Sequence, residues 1–280
     1  MDRYVVAGNP VEHSQSPFIH AEFARQTGQA LEYGRLLVPI DGFEPALRAL
    51  VEGGAKGCNI TVPFKFDAFA VAARHTERAE RAQAANVLRF DADGWLADNT
   101  DGVGLVDDIE RNAGTPLAGV RVLLVGAGGA AAGALGPLLA ARPLELVIAN
   151  RTLDKARALV ERHRDAAPAA TLMRAATLED CGRDFDVVIN ASASSLQGVS
   201  VPVSSVVLAP RALALDMMYG PAAQPFLAWA KECGARGRDG LGMLVEQAAA
   251  SFELWRGVRP ETGPVLEALR TRMSTASRKP

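Results

Sequence analysis

The sequence predicts an α/β protein of two domains, each a parallel-rich sheet covered by helices. Short β-rich runs alternate with helical patterns along almost the whole 280-residue chain, the rhythm that yields parallel strands joined by crossover helices. That length accommodates two domains of ordinary size. The composition, 49% hydrophobic, 22% charged and only 6% aromatic, supports a buried core and suits closely packed helices better than an all-β sandwich.

Residues 3–7, 33–38, 57–61 and 86–90 read as strands, with helices after Ser16, Gly42 and Pro63. From residue 120 the pattern is more regular: strand 121–125, helix 130–141, strand 144–149, helix 153–162, then strands 186–191 and 212–216. The turn-rich Asn112-Ala113-Gly114-Thr115-Pro116 marks one change of unit. A second comes at 236–240, where strands stop and two helices follow, 241–255 and 264–273. Having no strands of their own, these helices are expected to return to the first domain. The expected domains are therefore 1–103 with 240–280, and 104–239, ending in a frayed polar tail from Ser274. Residues 122–141 carry no charge for 20 residues, about the length of a membrane span. Their five glycines and Pro137 predict strand, turn and helix instead.

Thirty basic residues balance 32 acidic ones for a net charge of −2. With no basic block, nucleic acid is not an expected partner. Cys58, Cys181 and Cys233 are odd in number and widely spaced, and the four histidines lack ligand spacing, so neither a disulfide framework nor a metal site is expected. The first residues lack the apolar run of a signal peptide. A reducing cytoplasm is the expected location, with no membrane partner.

The strongest local signal is strand, Gly126-Ala127-Gly128-Gly129-Ala130-Ala131, helix. In this GxGxxA turn the first glycine permits the bend, the second admits a pyrophosphate, and Ala131 allows close helix–strand packing. The helix N-terminus adds partial positive charge. The next strand ends in Asn150-Arg151-Thr152, with Lys155 one helical turn on. No carboxylate stands where an NAD enzyme would hold the ribose 2′-hydroxyl, and Arg151 offers a guanidinium to a 2′-phosphate. NADP is the expected dinucleotide.

Ser14-Gln15-Ser16-Pro17 places Ser16 at a helix N-cap. Plain capping explains Ser16 but not Ser14, and two hydroxyls beside a helix N-terminus also suit a carboxylate. Lys65, in the first turn after Pro63, is a solvated lysine or a proton-transfer group. A cation there opposes the helix dipole by about 0.3–1 kcal/mol. Asp101 either caps the helix that follows it or holds the Lys65 ammonium. Gln247 falls within an apolar helical stretch on one face with Leu244 and Ser251, and its amide needs a partner, backbone or ligand.

Together, Gly8-Asn9-Pro10, Ser14–Pro17 and the runs 59–65, 85–86, 99–102, 126–130, 150–152 and 239–247 follow the order and spacing of the shikimate dehydrogenases. The chain resembles that family from about Tyr4 to Leu269. The resemblance implies a substrate-binding domain of mostly parallel sheet, an NADP-binding Rossmann domain, and C-terminal helices returning to the first. It implies reversible reduction of 3-dehydroshikimate to shikimate by NADPH, on the route to aromatic amino acids. Lys65 and Asp101 match the family's catalytic pair. Ser14 and Ser16 match its carboxylate site, and Thr61, Asn86, Asp101, Tyr219 and Gln247 the groups around the ring. Gly126, Ala127, Gly128, Gly129, Ala130, Asn150, Arg151, Thr152, Lys155, Met217, Gly240 and Glu77 match cofactor positions.

The chain departs from the family where Ala131-Ala132 replaces a frequent Ser-Arg, where Lys155 replaces a frequent Arg, and at Asn190-Ala191-Ser192-Ala193. A broader quinate/shikimate dehydrogenase would share the fold and the Lys–Asp pair, but Ser16 and Arg151 point away from it. A non-catalytic NADP-binding sensor is the other alternative. The oligomeric state, monomer or homodimer, is not legible in the sequence.

Overall fold

The computed structural model describes residues 1–192 and 203–276. The fold is α/β with two sheets, as expected. The chain divides into two compact units, Met1–Gly104 together with the chain from Leu244 on, and Leu105–Met243.

The first unit begins β1 (Asp2–Gly8), α1 (Ser16–Thr27), β2 (Leu31–Leu37), α2 (Phe43–Glu52), β3 (Ala55–Ile60) and α3 (Lys65–Val71). It continues β4 (Arg74–His75), α4 (Glu77–Ala82), β5 (Val87–Asp91), β6 (Gly94–Asp98) and α5 (Asp101–Asp107). Its sheet has the order β2-β1-β3-β5-β6-β4. β1 pairs in parallel with β2 and β3, whereas β5 runs antiparallel to both β3 and β6. The β5–β6 hairpin is the main departure from simple strand–helix alternation. Its second strand, Gly94-Trp95-Leu96-Ala97-Asp98, is only five residues long and runs straight into the polar Asn99-Thr100-Asp101, so it does not stand out as a strand of its own.

Side-chain alternation sends Val5, Ala7, Cys58 and Ile60 to one face, against Phe43 and Leu47 of α2 and Phe64 and Ala68 near α3. Tyr4, of opposite parity, stacks on Trp255 of α9 (Leu241–Arg256) at 4.6 Å between ring centroids. On that side His20 of α1 lies flat on Tyr33 at 4.2 Å and beside Phe23 and Phe252. α10 (Gly263–Ala276) packs near α1. The tail expected to fray from Ser274 is helical to Ala276, with the Ser274 and Thr275 hydroxyls donating to the Thr271 carbonyl. The remainder of that tail lies outside the described residues.

The second unit runs β7 (Arg121–Val125), α6 (Gly129–Ala140), β8 (Glu145–Ala149), α7 (Leu153–Arg162), β9 (Leu172–Ala176), β10 (Phe185–Asn190), β11 (Leu208–Asp216), α8 (Gln224–Glu232) and β12 (Arg236–Arg238). All pairings in the order β12-β11-β10-β7-β8-β9 are parallel. The sequence order reverses between β7 and β10, the crevice where open α/β sheets bind ligands. Strands covered on both faces are apolar throughout, as in fully buried Val122, Leu123 and Leu124. The charge-free run 122–141 is thus β7, its turn and α6, and among the described residues no helix is long and apolar enough to cross a membrane. The short β12 shows that strands do not stop at 236: Arg-Gly-Arg joins β11 at the sheet edge, where apolar side chains are not required.

Burial lowers the His20 pKa from 6.5 to about 3. The unfolded chain therefore takes up a proton below pH 6.5 that the folded chain refuses until about pH 3. The stability is present above pH 6.5 and is lost as pH falls through that window, by at most about 1.4 kcal/mol per pH unit. Denaturant midpoints measured from about pH 7 to 4 are expected to fall less steeply for His20→Phe than for the parent. Parallel profiles would refute this assignment.

Candidate active site

The first unit gathers its polar side chains where β3 and β6 hand the chain to α3 and α5 and where β5 begins. Lys65 opens α3, and its Nζ donates to Asp101 Oδ2 at 2.6 Å. Both side chains are largely buried, at 16% and 7% exposure, so the pair is shielded from water and salt. Asp101 does not cap α5 with its own carboxylate. The Asp101 backbone N–H is received by Asn99 Oδ1 at 3.2 Å, which leaves the carboxylate for Lys65. The turn before it is anchored by fully buried Asp98, which accepts from Thr76 Oγ1, from Arg78 and from the Asn99 N–H. These bonds raise the Arg78 guanidinium further above its ordinary value.

Asn86 sits at the centre of this cluster. The Thr100 N–H donates to its Oδ1 at 2.8 Å, which fixes the amide plane because a backbone N–H can only donate. Its Nδ2 then faces Asp101 Oδ1 at 2.9 Å, Thr100 Oγ1 at 3.0 Å and Gln247 Oε1 at 3.1 Å. Gln247 directs its own NH₂ to the Leu244 carbonyl at 2.8 Å, so its oxygen is turned to Asn86. The structure thus brings Lys65, Asn86, Asp101 and Gln247 together. A lysine ammonium held by a carboxylate among amides can deliver a proton to a nearby developing alkoxide and take it back.

Ser14 and Ser16 also meet, Ser14 Oγ donating to Ser16 Oγ at 3.2 Å. Ser16 is the first helical residue and not the cap. The cap position falls to Gln15, whose carbonyl accepts the Ile19 N–H, so the Ser16 hydroxyl is spared from capping. Arg35 Nη2 reaches the Ser14 carbonyl at 2.6 Å, bringing a positive charge beside the two serines. Thr61 follows β3, its N–H bonded to the Ala7 carbonyl.

The second unit carries a different surface. Gly126, at the end of β7, has φ +114°, and a Cβ there would lie 3.0 Å from the Ala191 carbonyl. Gly128 precedes α6, and nothing lies within 4 Å of where its Cβ would be. The Gly126–Ala130 turn therefore leaves room above the α6 N-terminus, where an anion is favoured by unpaired N–H groups. Asn150 Nδ2 donates to the Thr152 carbonyl at 2.9 Å, shaping the turn that presents exposed Arg151 and Lys155. Glycine turn, helix terminus and exposed cations fit a phosphorylated dinucleotide. Gly240 packs on the Met217 carbonyl, 2.3 Å from where a Cβ would be, so these two positions adjoin after β11 and β12. Tyr219 belongs to this unit as well, following β11. Glu77 lies in the first unit, exposed at the start of α4 and paired with Arg81.

Three family models match in succession: the shikimate dehydrogenase substrate binding domain over residues 6–88, shikimate/quinate 5-dehydrogenase over 108–215, and the shikimate 5′-dehydrogenase C-terminal domain over 240–270. The shikimate dehydrogenase (NADP(+)) of Methylibium petroleiphilum is 62% identical over 276 residues, covering 96% of this chain and 94% of the relative. The chain belongs to the shikimate dehydrogenase family. Among solved structures, an Ael1 enzyme from Pseudomonas putida is 47% identical with a TM-score of 0.88, covering 96% of this chain and 98% of that one. The shikimate 5-dehydrogenase of Thermus thermophilus, solved with NADP(H) and shikimate, is 31% identical with a TM-score of 0.83, covering 97% and 99%.

Within this member of the family, the Ala131-Ala132 departure is buried in α6, and the exposed cations are supplied by Arg151 and Lys155. Of the other departure, Ala193 lies outside the described residues. Asn59, Thr100, Tyr33 and Arg35 carry no role legible in the sequence. Tyr33 OH donates to Asn59 Oδ1 at 2.7 Å, and desolvation pushes the phenol well above its ordinary value, which keeps it a donor. No local pattern marks these residues: Tyr33 and Arg35 lie inside β2, Asn59 near the end of β3, and Thr100 between β6 and α5.

Gly104 lets α5 approach α9, since a Cβ there would lie 2.6–2.9 Å from the Gln247 backbone and Cβ. Gly104→Ala is expected to cost about 1–3 kcal/mol in a denaturant titration through overpacking. Unchanged stability would show that the helices separate freely.

Proposed function

We propose that this chain catalyses the reversible NADPH-dependent reduction of 3-dehydroshikimate to shikimate through Lys65 and Asp101. The observation that carries the residue assignment is the 2.6 Å Lys65–Asp101 contact, held beside the Asn86, Thr100 and Gln247 cluster. The chain up to Gly104, with that from Leu244 on, serves as the substrate-binding catalytic domain, and Leu105–Met243 as the NADP-binding domain. NADPH, when bound, supplies the hydride. Lys65 Nζ gives its proton to the alkoxide oxygen that forms and recovers one in the reverse direction. Asp101 orients the ammonium and accepts from a substrate hydroxyl. Asn86 and Gln247 hold ring hydroxyls, with Thr61 and Tyr219 as further contacts, while Ser14 and Ser16 receive the carboxylate.

The Gly126–Ala130 turn takes the pyrophosphate, with Asn150, Arg151, Thr152 and Lys155 at the 2′-phosphate. Met217 and Gly240 line the nicotinamide site, and Glu77 is a further cofactor contact. The partners are then shikimate, 3-dehydroshikimate and NADP, with no nucleic acid or membrane, in a monomer or homodimer, and the location is the cytoplasm, consistent with free cysteines at 58, 181 and 233.

Nicotinamide absorbance with shikimate or quinate, each with NADP or NAD, tests this reading. Turnover is expected to favour shikimate with NADP strongly; comparable rates with quinate would move the protein to the broader quinate/shikimate activity, and no turnover would refute the proposal. Lys65→Ala is expected to lower kcat by about 100-fold or more with the circular dichroism spectrum unchanged. Full turnover by that variant would exclude Lys65 as the proton-transfer group. Arg151→Ala is expected to raise the KM for NADP by about tenfold, the loss of one charge-assisted contact, and to leave the KM for NAD unchanged. A parallel rise for both cofactors would remove the 2′-phosphate assignment.

A further inference from the structure

Ser251 lies one helical turn beyond Gln247 on α9 and is fully buried. Its hydroxyl is 3.0 Å from Asn59 Nδ2, 3.1 Å from Thr100 Oγ1 and 3.0 Å from the Gln247 carbonyl oxygen. Counting hydrogens decides what each contact does. Asn59 Oδ1 is occupied by the Tyr33 phenol, so Asn59 presents its NH₂ group to Ser251 and donates. The Gln247 carbonyl can only accept, so it takes the Ser251 hydrogen. One Ser251 lone pair then remains, and it faces the Thr100 hydroxyl.

When Thr100 donates to Ser251, the Thr100 oxygen turns its lone pairs to Asn86 Nδ2 at 3.0 Å. Asn86 has two amide hydrogens and three acceptors in reach. One hydrogen goes to Asp101 Oδ1, and Thr100 now claims the other. Gln247 Oε1, 3.1 Å from the same nitrogen, is left open. Remove the Ser251 acceptor and the Thr100 hydrogen turns to Asn86 Oδ1 at 3.2 Å or Gln247 Oε1 at 3.4 Å. Asn86 then gives its second hydrogen to Gln247 and closes that oxygen to any ligand.

We propose that Ser251 is a positioning residue that, by accepting the Thr100 proton, keeps Gln247 Oε1 available to a hydroxyl of the bound polyol acid. Ser251 touches neither substrate nor cofactor in this account and acts only through Thr100 and Asn86. The proposal rests on the substrate reading given above.

The test compares Ser251→Ala, Ser251→Cys and Ser251→Thr with the parent enzyme, by steady-state kinetics and by calorimetric titration with shikimate. For Ser251→Ala, the KM and Kd for shikimate are expected to rise about five- to tenfold, the loss of one hydrogen bond. Its kcat is expected to stay within about twofold, since Lys65 and Asp101 keep their contact. The KM for NADP should not change, which separates this role from general loosening of the fold. Ser251→Cys, close in shape but a weak acceptor, should show the same rise even if the alanine variant is too unstable to purify. Ser251→Thr should restore parental affinity. Parental shikimate affinity in the alanine or cysteine variant would overturn the proposal, as would parallel rises in KM for both ligands. Absence of shikimate turnover by the parent would instead remove the substrate reading and this inference with it.

Discussion

The Asn86 amide is buried, must satisfy an oxygen and an NH₂ group, and has its orientation dictated by a backbone N–H that cannot be turned around. A buried polar group left unpaired costs about 1–3 kcal/mol, so the surrounding residues are held to arrangements that satisfy it. Asp101 must offer Oδ1 to Asn86, which leaves Oδ2 for Lys65. Gln247 turns its oxygen to the same side because its NH₂ group is held by the Leu244 carbonyl. The catalytic geometry proposed for Lys65 thus follows from hydrogen-bond accounting one residue away. Asp98 serves the same end from below, pinning the turn that delivers Asn99, Thr100 and Asp101.

The second unit meets a similar demand by other means. The groups proposed to face its ligand are chiefly backbone N–H donors at the α6 N-terminus, exposed by glycines and needing no side-chain network to orient them. Such a surface tolerates alanines at 131 and 132, because helix packing and not side-chain chemistry sets their identity. In the proposed reading, discrimination is left to Arg151 and Lys155, exposed beyond the end of β8.

The parts legible in sequence were those governed by local rules. Gly126 to Ala131 between a strand and a helix, Arg151 at the next strand end, and Lys65 after Pro63 each announce themselves within a few residues. The parallel order of the second sheet follows from strand–helix alternation. What local rules could not supply was anything decided across the chain. Ser16 and Asp101 look like caps, yet Gln15 holds the cap position of α1 and the Asn99 side chain receives the Asp101 N–H, because the same residue types both cap helices and bind ligands. The antiparallel β5–β6 hairpin is hidden by the shortness of its second strand, which runs straight into Asn99-Thr100-Asp101. Asn59 and Ser251 are in contact although 192 positions apart, and neither has a neighbour in sequence that hints at the other.

That separation also orders events on the ribosome. Asn86 and Gln247 stand 161 residues apart, and the stretch from Leu105 to Met243, a compact unit of its own, is made between them. At about 5–20 residues per second, Asn86 waits roughly 8–30 s for its partner. During that interval β3, β5 and β6 emerge without the α9 face that carries Gln247, Ser251, Phe252 and Trp255. The nascent first unit must therefore hold an exposed amide and an uncovered aromatic face while the middle of the chain is completed, a window in which chaperone capture and aggregation compete for it.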